Sequence, residues 1–181
     1  MTSFKYYVGA SIDGFIADRA GDALWLQPFS KLAGVREHFD EFFAGVGAIV
    51  IGGKTYENIA RDVAEGKLEW VYGDKPVWVF THHELPTVPG ADLTFIRGEI
   101  GFWSRDIARS ASVGDVWVVG GADLAGGFVE AGMLDELLLI TVPVLLGGGA
   151  NIFGRGVNME LDGLELKDLG GNVFASRYAI T

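Results

Sequence analysis

The sequence predicts an α/β protein built on a single mixed sheet, parallel at its centre and antiparallel at one end. Two patterns carry this. Short apolar strands alternate with helix-period segments as far as Gly132, and beyond it only strands follow. A third observation points to function. Three of the strands stop on a glycine or polar turn where the chain leaves the sheet, the place where open α/β sheets collect ligands.

The first strand is "FKYYVGAS" (residues 4–11), rich in aromatic and β-branched residues. "DRAGDALWLQPF" (18–29) reads as a loop punctuated by Gly21 and Pro28. Val35, Phe39, Phe42, Phe43 and Val46 then recur at helical spacing, which predicts an amphipathic helix over 32–44. "AIVIGG" (48–53) is a buried strand, and "KTYENIARDV" opens a helix. "PVWVFT" (76–81) is the third strand, with Pro76 at its first position, where a missing N–H is tolerated. "LTFIR" (93–97) is the fourth. Ile100, Trp103 and Ile107 mark a helix before the fifth strand, "VWVVGG". Leu124 and Phe128 begin the next helix, and Gly132 is placed to end it. "ELLLITVPVLL" (136–146) is the sixth strand. "LELKDL" and "NVFASRYAI", joined through Gly170-Gly171-Asn172, form a closing hairpin with an alternating pattern. With no repeat and no linker, residues 1–181 read as one domain.

Composition narrows the function classes. At 181 residues, 49% hydrophobic and 21% charged, the chain is globular and long enough to bury a real core. The net charge of −10 opposes a nucleic-acid partner. No apolar run reaches the roughly 18 residues of a membrane span, and the N-terminus lacks a secretory pattern, so no membrane partner and a cytoplasmic location are expected. The absence of cysteine excludes disulfides and thiolate metal sites.

The sharpest motif is "VWVVGGADLAGGF", residues 116–128. A strand stops on Gly120-Gly121 and a helix begins at once, with no side chain at the junction to do chemistry. A helix N-terminus offers unpaired N–H groups and about half a positive charge, and glycine lets a pyrophosphate reach them. The same layout recurs at Gly52-Gly53-Lys54-Thr55 and, without glycine, at Thr81-His82-His83. "GGGAN" (147–151) reads as a turn or another phosphate loop. His82 and His83, adjacent at a strand end, point in opposite directions and make a poor metal pair. His38 sits alone on its helix, and Glu37, Asp40 and Glu41 read as a solvated helix face.

These stretches, with "ASIDGFIA" (10–17), "IVIGGKTYENI" (49–59) and "KPVWVFTHHEL" (75–85), resemble the dihydrofolate reductase superfamily. The branch most similar holds the reductase domain of bacterial riboflavin biosynthesis. The resemblance implies a three-layer fold on an eight-stranded mixed sheet and NADPH as cofactor. It places Ala10, Ile16 and Ala17 at the nicotinamide and Gly53, Lys54 and Thr55 along the phosphates. Thr81, His82 and His83 fall at the adenosine 2′-phosphate. Gly120, Gly121, Ala122, Asp123 and Leu124 fall at the pyrophosphate.

Two departures stand out. Many relatives have arginine where this chain has Gly53, which shifts phosphate binding onto Lys54. The acid that serves folate in dihydrofolate reductases would fall near Arg36, with Glu37 beside it, which leans away from folate. The expected activity is hydride transfer to a heterocycle or its ribosyl derivative, as in 5-amino-6-(5-phosphoribosylamino)uracil reductase. Asp13 and Glu37 are the candidate catalytic groups, and Trp25 and Tyr56 the candidate substrate walls. The rivals are dihydrofolate reduction and a catalytically silent NADPH-binding protein. The expected partner is a small-molecule substrate, and a homodimer is left open.

Overall fold

The structure, a computed structural model, describes residues 1–154 and 156–181. In chain order the strands are β1 (Phe4–Ser11), β2 (Phe15–Ala17), β3 (Val46–Gly52), β4 (Val77–Phe80) and β5 (Leu93–Ile96). They continue as β6 (Asp115–Gly120), β7 (Glu136–Val142), β8 (Ala150–Asn151), β9 (Asp162–Asp168) and β10 (Phe174–Ala179). The helices are α1 (Gln27–Ser30), α2 (Ala33–Ala44), α3 (Gly53–Ala64), α4 (Ile100–Ser110) and α5 (Ala122–Glu130). Eight strands form one sheet in the order β5-β4-β3-β6-β1-β7-β10-β9. The run from β5 to β7 is parallel, and β10 and β9 are antiparallel.

Central strands of such a sheet are covered on both faces, so they carry unbroken apolar runs. Ala48, Ile49, Val50 and Ile51 of β3 are all fully buried. On one face α2 and α3 pack against Tyr7, Ile49, Ile51 and Trp117. Phe39 and Phe42 of α2 meet the Trp117 ring edge-on at 5.4 and 5.7 Å, and Trp117 Nε1 donates to the Tyr7 carbonyl at 3.1 Å. On the other face α4 and α5 bring Ile107 and Phe128 against Tyr6, Val50 and Val118. The result is helices, sheet, helices: three layers on eight strands, as the resemblance implies. Gly132 ends α5 as expected. At φ +63° it donates to the Val129 carbonyl at 2.9 Å while Met133 N–H reaches Phe128 O at 2.9 Å, the paired bonds of a Schellman stop.

Three readings are corrected. The sixth strand ends at Val142 rather than Leu146, because Pro143 has no N–H for the ladder and Val144 N–H turns back to Val142 O at 2.8 Å. The segment 18–29 is not all loop: Leu24–Leu26 forms a 3-10 turn and Gln27–Ser30 a helical turn, with Pro28 where its absent N–H has no helical acceptor to lose. The hairpin alternation holds on β10, where Ala175 is buried, but every residue of β9 is exposed. A small ribbon, β2 with β8, was not legible in the sequence. Among the described residues no helix is long and apolar enough to cross a membrane.

Candidate functional site

Strand β3 runs straight into α3, and β6 straight into α5. Both helices therefore begin at the carboxyl edge of the sheet, beside each other. The start of α4 reaches the same place. The three N-termini border one cleft of about 1140 Å³, which exceeds the roughly 300–1,000 Å³ of common small-molecule pockets. Their N-cap residues are Gly52, Glu99 and Gly121, and none makes a side-chain cap bond. First-turn amides thus border the cleft uncapped, with the positive ends of three helix dipoles converging on it.

The approach of α3 and α5 is close. A Cβ on Gly52 would lie 3.4 Å from Gly121 N, and one on Gly121 would lie 2.9 Å from Thr55 Oγ1. Gly120 has φ +111°, and the Gly120–Gly121 peptide is cis. The bare junction therefore has a second cause beside ligand access: Thr55 already occupies the space a side chain at 121 needs. Gly53 is similarly placed, since a Cβ there would lie 2.9 Å from Thr81 Cβ. This contact gives a packing reason for glycine at that position.

The glycine turn at 147–149 and the strand β8 form one wall. Gly149, Ala150 and Asn151 line the cleft beside Ile16 and Ala17 of β2, the strand paired with β8. Asp13 fixes this wall. Its carboxylate accepts the Leu146 N–H at 3.1 Å, the Gly147 N–H at 2.8 Å and the Ser11 hydroxyl at 2.6 Å. The Ser11 hydroxyl and these amides hold the Asp13 carboxyl below the usual carboxylate range. Asp13 does not line the cleft. Its expected catalytic place is corrected to that of a loop anchor, because every contact its carboxylate makes is to the loop and its neighbour.

Of the other expected residues, Gly53, Lys54, Thr55, Gly121, Ala122, Asp123 and Leu124 line the cleft, as does His82. Lys54 is exposed there. Thr81 and His83 border a separate recess of about 440 Å³, and Thr81 Oγ1 accepts the His83 N–H at 3.0 Å. Only one histidine of the pair faces the cleft. Ala10 is buried within β1 and Gly120 within β6, and neither borders it.

Tyr56 is not a substrate wall. It is fully buried, its hydroxyl donates to Pro86 O at 2.6 Å, and burial raises its pKa. Trp25 packs beside the same core, and its buried Nε1–H has no acceptor among the described residues. Glu37 is exposed on α2 and outside the cleft, as is Arg36. His38 is not alone: its Nδ1 is 3.0 Å from the Tyr7 hydroxyl, and burial lowers its pKa. Among the described residues no group of histidines and acids is arranged to hold a metal.

Sequence reasoning missed Asn58, Glu99 and Met133, which also line the cleft. Glu99 had a signal, since it stands directly before the helix that Ile100 opens. Asn58 and Met133 had none.

The chain matches the RibD C-terminal domain family over residues 58–179. Among curated proteins it is 29% identical to the uncharacterized protein YwjB of Bacillus subtilis over 148 residues, 81% of this chain and 80% of that one. It is similar in fold to a crystal structure from Shewanella sp. PV-4 named for riboflavin biosynthesis, with TM-score 0.81, 21% identity and 99% of both chains covered. A second structure is the diaminohydroxyphosphoribosylaminopyrimidine deaminase/5-amino-6-(5-phosphoribosylamino)uracil reductase of Thermotoga maritima. It aligns with TM-score 0.70 and 15% identity over 99% of this chain and 57% of that one.

Proposed function

The chain belongs to the RibD C-terminal domain family, and from that footing we propose that it is an NADPH-dependent reductase. Its substrate on this reading is a heterocycle or ribosylated heterocycle carrying a reducible C=N or C=O, of the ribosylaminopyrimidine type. The observation that carries the proposal is the meeting of three uncapped helix N-termini on a single cleft. Such a site suits a ligand with several phosphates along its length.

The residues present fit a dinucleotide. The amides of Ala122, Asp123 and Leu124 bind the pyrophosphate, and Thr55 and Lys54 flank it from α3. His82 and Lys54 supply local donors against a chain of net charge −10. Ile16 and Ala17 cover the nicotinamide end, under a wall that Asp13 holds in place. NADPH, when bound, supplies the hydride. The protein positions the acceptor and excludes water around it.

The test is NADPH oxidation by purified protein across a panel of a ribosylaminopyrimidinone, dihydrofolate and simple carbonyls. Turnover of the ribosylaminopyrimidinone with little of dihydrofolate is expected, since Arg36 and Glu37 lie outside the cleft. A missing general acid typically costs about 10²–10⁴ in rate. Efficient dihydrofolate reduction, or NADPH binding with no turnover of any compound, contradicts the proposal.

A further inference from the structure

The turn Gly147-Gly148-Gly149 is packed against the segment that follows β2. A Cβ on Gly149 would meet the Ala17 carbonyl oxygen and stand 2.9 Å from Asp18 C. One on Gly148 would meet Arg19 Nε and stand 3.0 Å from Cζ, so the guanidinium lies against a bare Cα. Arg19 Nη2 also donates to the Gly147 carbonyl at 2.8 Å. Gly147 is therefore gripped at both ends of its backbone. Asp13, before β2, accepts its N–H, and Arg19, after β2, donates to its C=O. Arg19 is exposed and does not border the cleft, whereas Ile16, Ala17 and Gly149 around the contact do.

The same segment is fastened a second time, to α3. Asp18 closes it into a turn: its carboxylate accepts the Ala20 and Asp22 N–H groups, each at 2.9 Å, and its carbonyl accepts the Gly21 N–H at 2.9 Å. That turn carries the Gly21 carbonyl to Asn58 Nδ2 at 3.4 Å, and Gly21 and Asn58 both line the cleft. The Asn58 bond is long, while the Arg19 bond is short and charge-assisted, so Arg19 is the stronger fastening. We propose that Arg19 is a positioning residue for the nicotinamide half of the cofactor. It joins the turn after β2 to the 147–149 turn and makes Ile16, Ala17 and Gly149 one preorganised wall, which lowers the ordering cost when the ring docks. The inference rests on the cofactor reading above. Phosphates held at the starts of α3 and α5 do not depend on it.

The test is calorimetric titration of the full chain with NADPH and with 2′-phospho-ADP-ribose, which keeps the phosphates and lacks only the nicotinamide. Arg19→Ala should weaken NADPH by about three- to tenfold and leave 2′-phospho-ADP-ribose unchanged. Gly148→Ala retains the arginine but puts a Cβ where its guanidinium lies, and should give the same selective loss. Because both changes undo one contact, the double variant should lose no more than either single variant. Circular dichroism confirms that each variant remains folded. An unchanged NADPH affinity in Arg19→Ala, equal losses for both ligands, or additive losses in the double variant overturns the proposal. A parent protein that binds neither ligand overturns the cofactor reading itself, and the proposal with it.

Discussion

At Gly121 two requirements fall on one atom. The amides behind it are to bind pyrophosphate, and Thr55 Oγ1 stands 2.9 Å from where its Cβ would be. The two are separable. Gly121→Val should lower NADPH affinity by about a hundredfold or more, a loss of roughly 3 kcal/mol. It should also destabilise the fold, because Thr55 must move. Adding Thr55→Ala makes room and should return most of the stability, measured by urea unfolding, without returning NADPH binding. If binding returns with stability, Gly121 serves packing alone.

Asp13 offers a test in pH. Its folded carboxyl titrates below its unfolded value, so it contributes stability that is complete above the unfolded pKa, about 4, and lost as pH falls through the lower folded value. Comparing unfolding of the protein with that of Asp13→Asn should show a constant gap from about pH 5 to 8 that closes in more acid solution. A gap that persists unchanged into acid would show that the carboxylate charge does not anchor the 146–147 amides.

Among the elements, the eight strands were legible because their apolar runs are short, β-branched and stopped by glycine or polar turns. Where the reading failed, a local rule had competition. Val144, Leu145 and Leu146 look like strand, yet Pro143 ends the ladder before them. Tyr56 has the aromatic character of a ligand wall, but it shares a face of α3 with Ala60, one turn on, and both are buried. The spacing carried that answer. The 147–149 wall was ambiguous because a glycine turn looks alike whether it faces solvent or a ligand. Gly132 was readable, and it carries a prediction. With φ +63°, Gly132→Ala forces a Cβ into the left-handed region and should cost about 1 kcal/mol in urea unfolding, leaving NADPH affinity unchanged. A variant as stable as the parent would show that α5 does not depend on this stop.

For the whole molecule, the topology decides where chemistry can occur. β3 and β6 are neighbours in the sheet though far apart in sequence, so the helices that follow them start side by side. That juxtaposition could not be read from any one motif. It gathers the amide donors of three helix starts and Lys54 on one cleft, beside the carboxylates of Glu99, Asp123 and Glu130. Lys54 is the exposed cation in it with the clearest claim on an additional phosphate.

The central claim is that this cleft binds a phosphorylated nicotinamide dinucleotide through those helix starts and Lys54. The measurement that reaches it most directly is a fluorescence titration of the purified chain and its Lys54→Ala variant with NADPH and with NADH. The account predicts saturable binding of both cofactors to the parent protein, with NADPH the tighter. It predicts that Lys54→Ala weakens NADPH by about five- to tenfold, an exposed charge-assisted contact of roughly 1 kcal/mol, and leaves NADH nearly unchanged. No saturable binding of either cofactor, or equal losses for both in the variant, would contradict it.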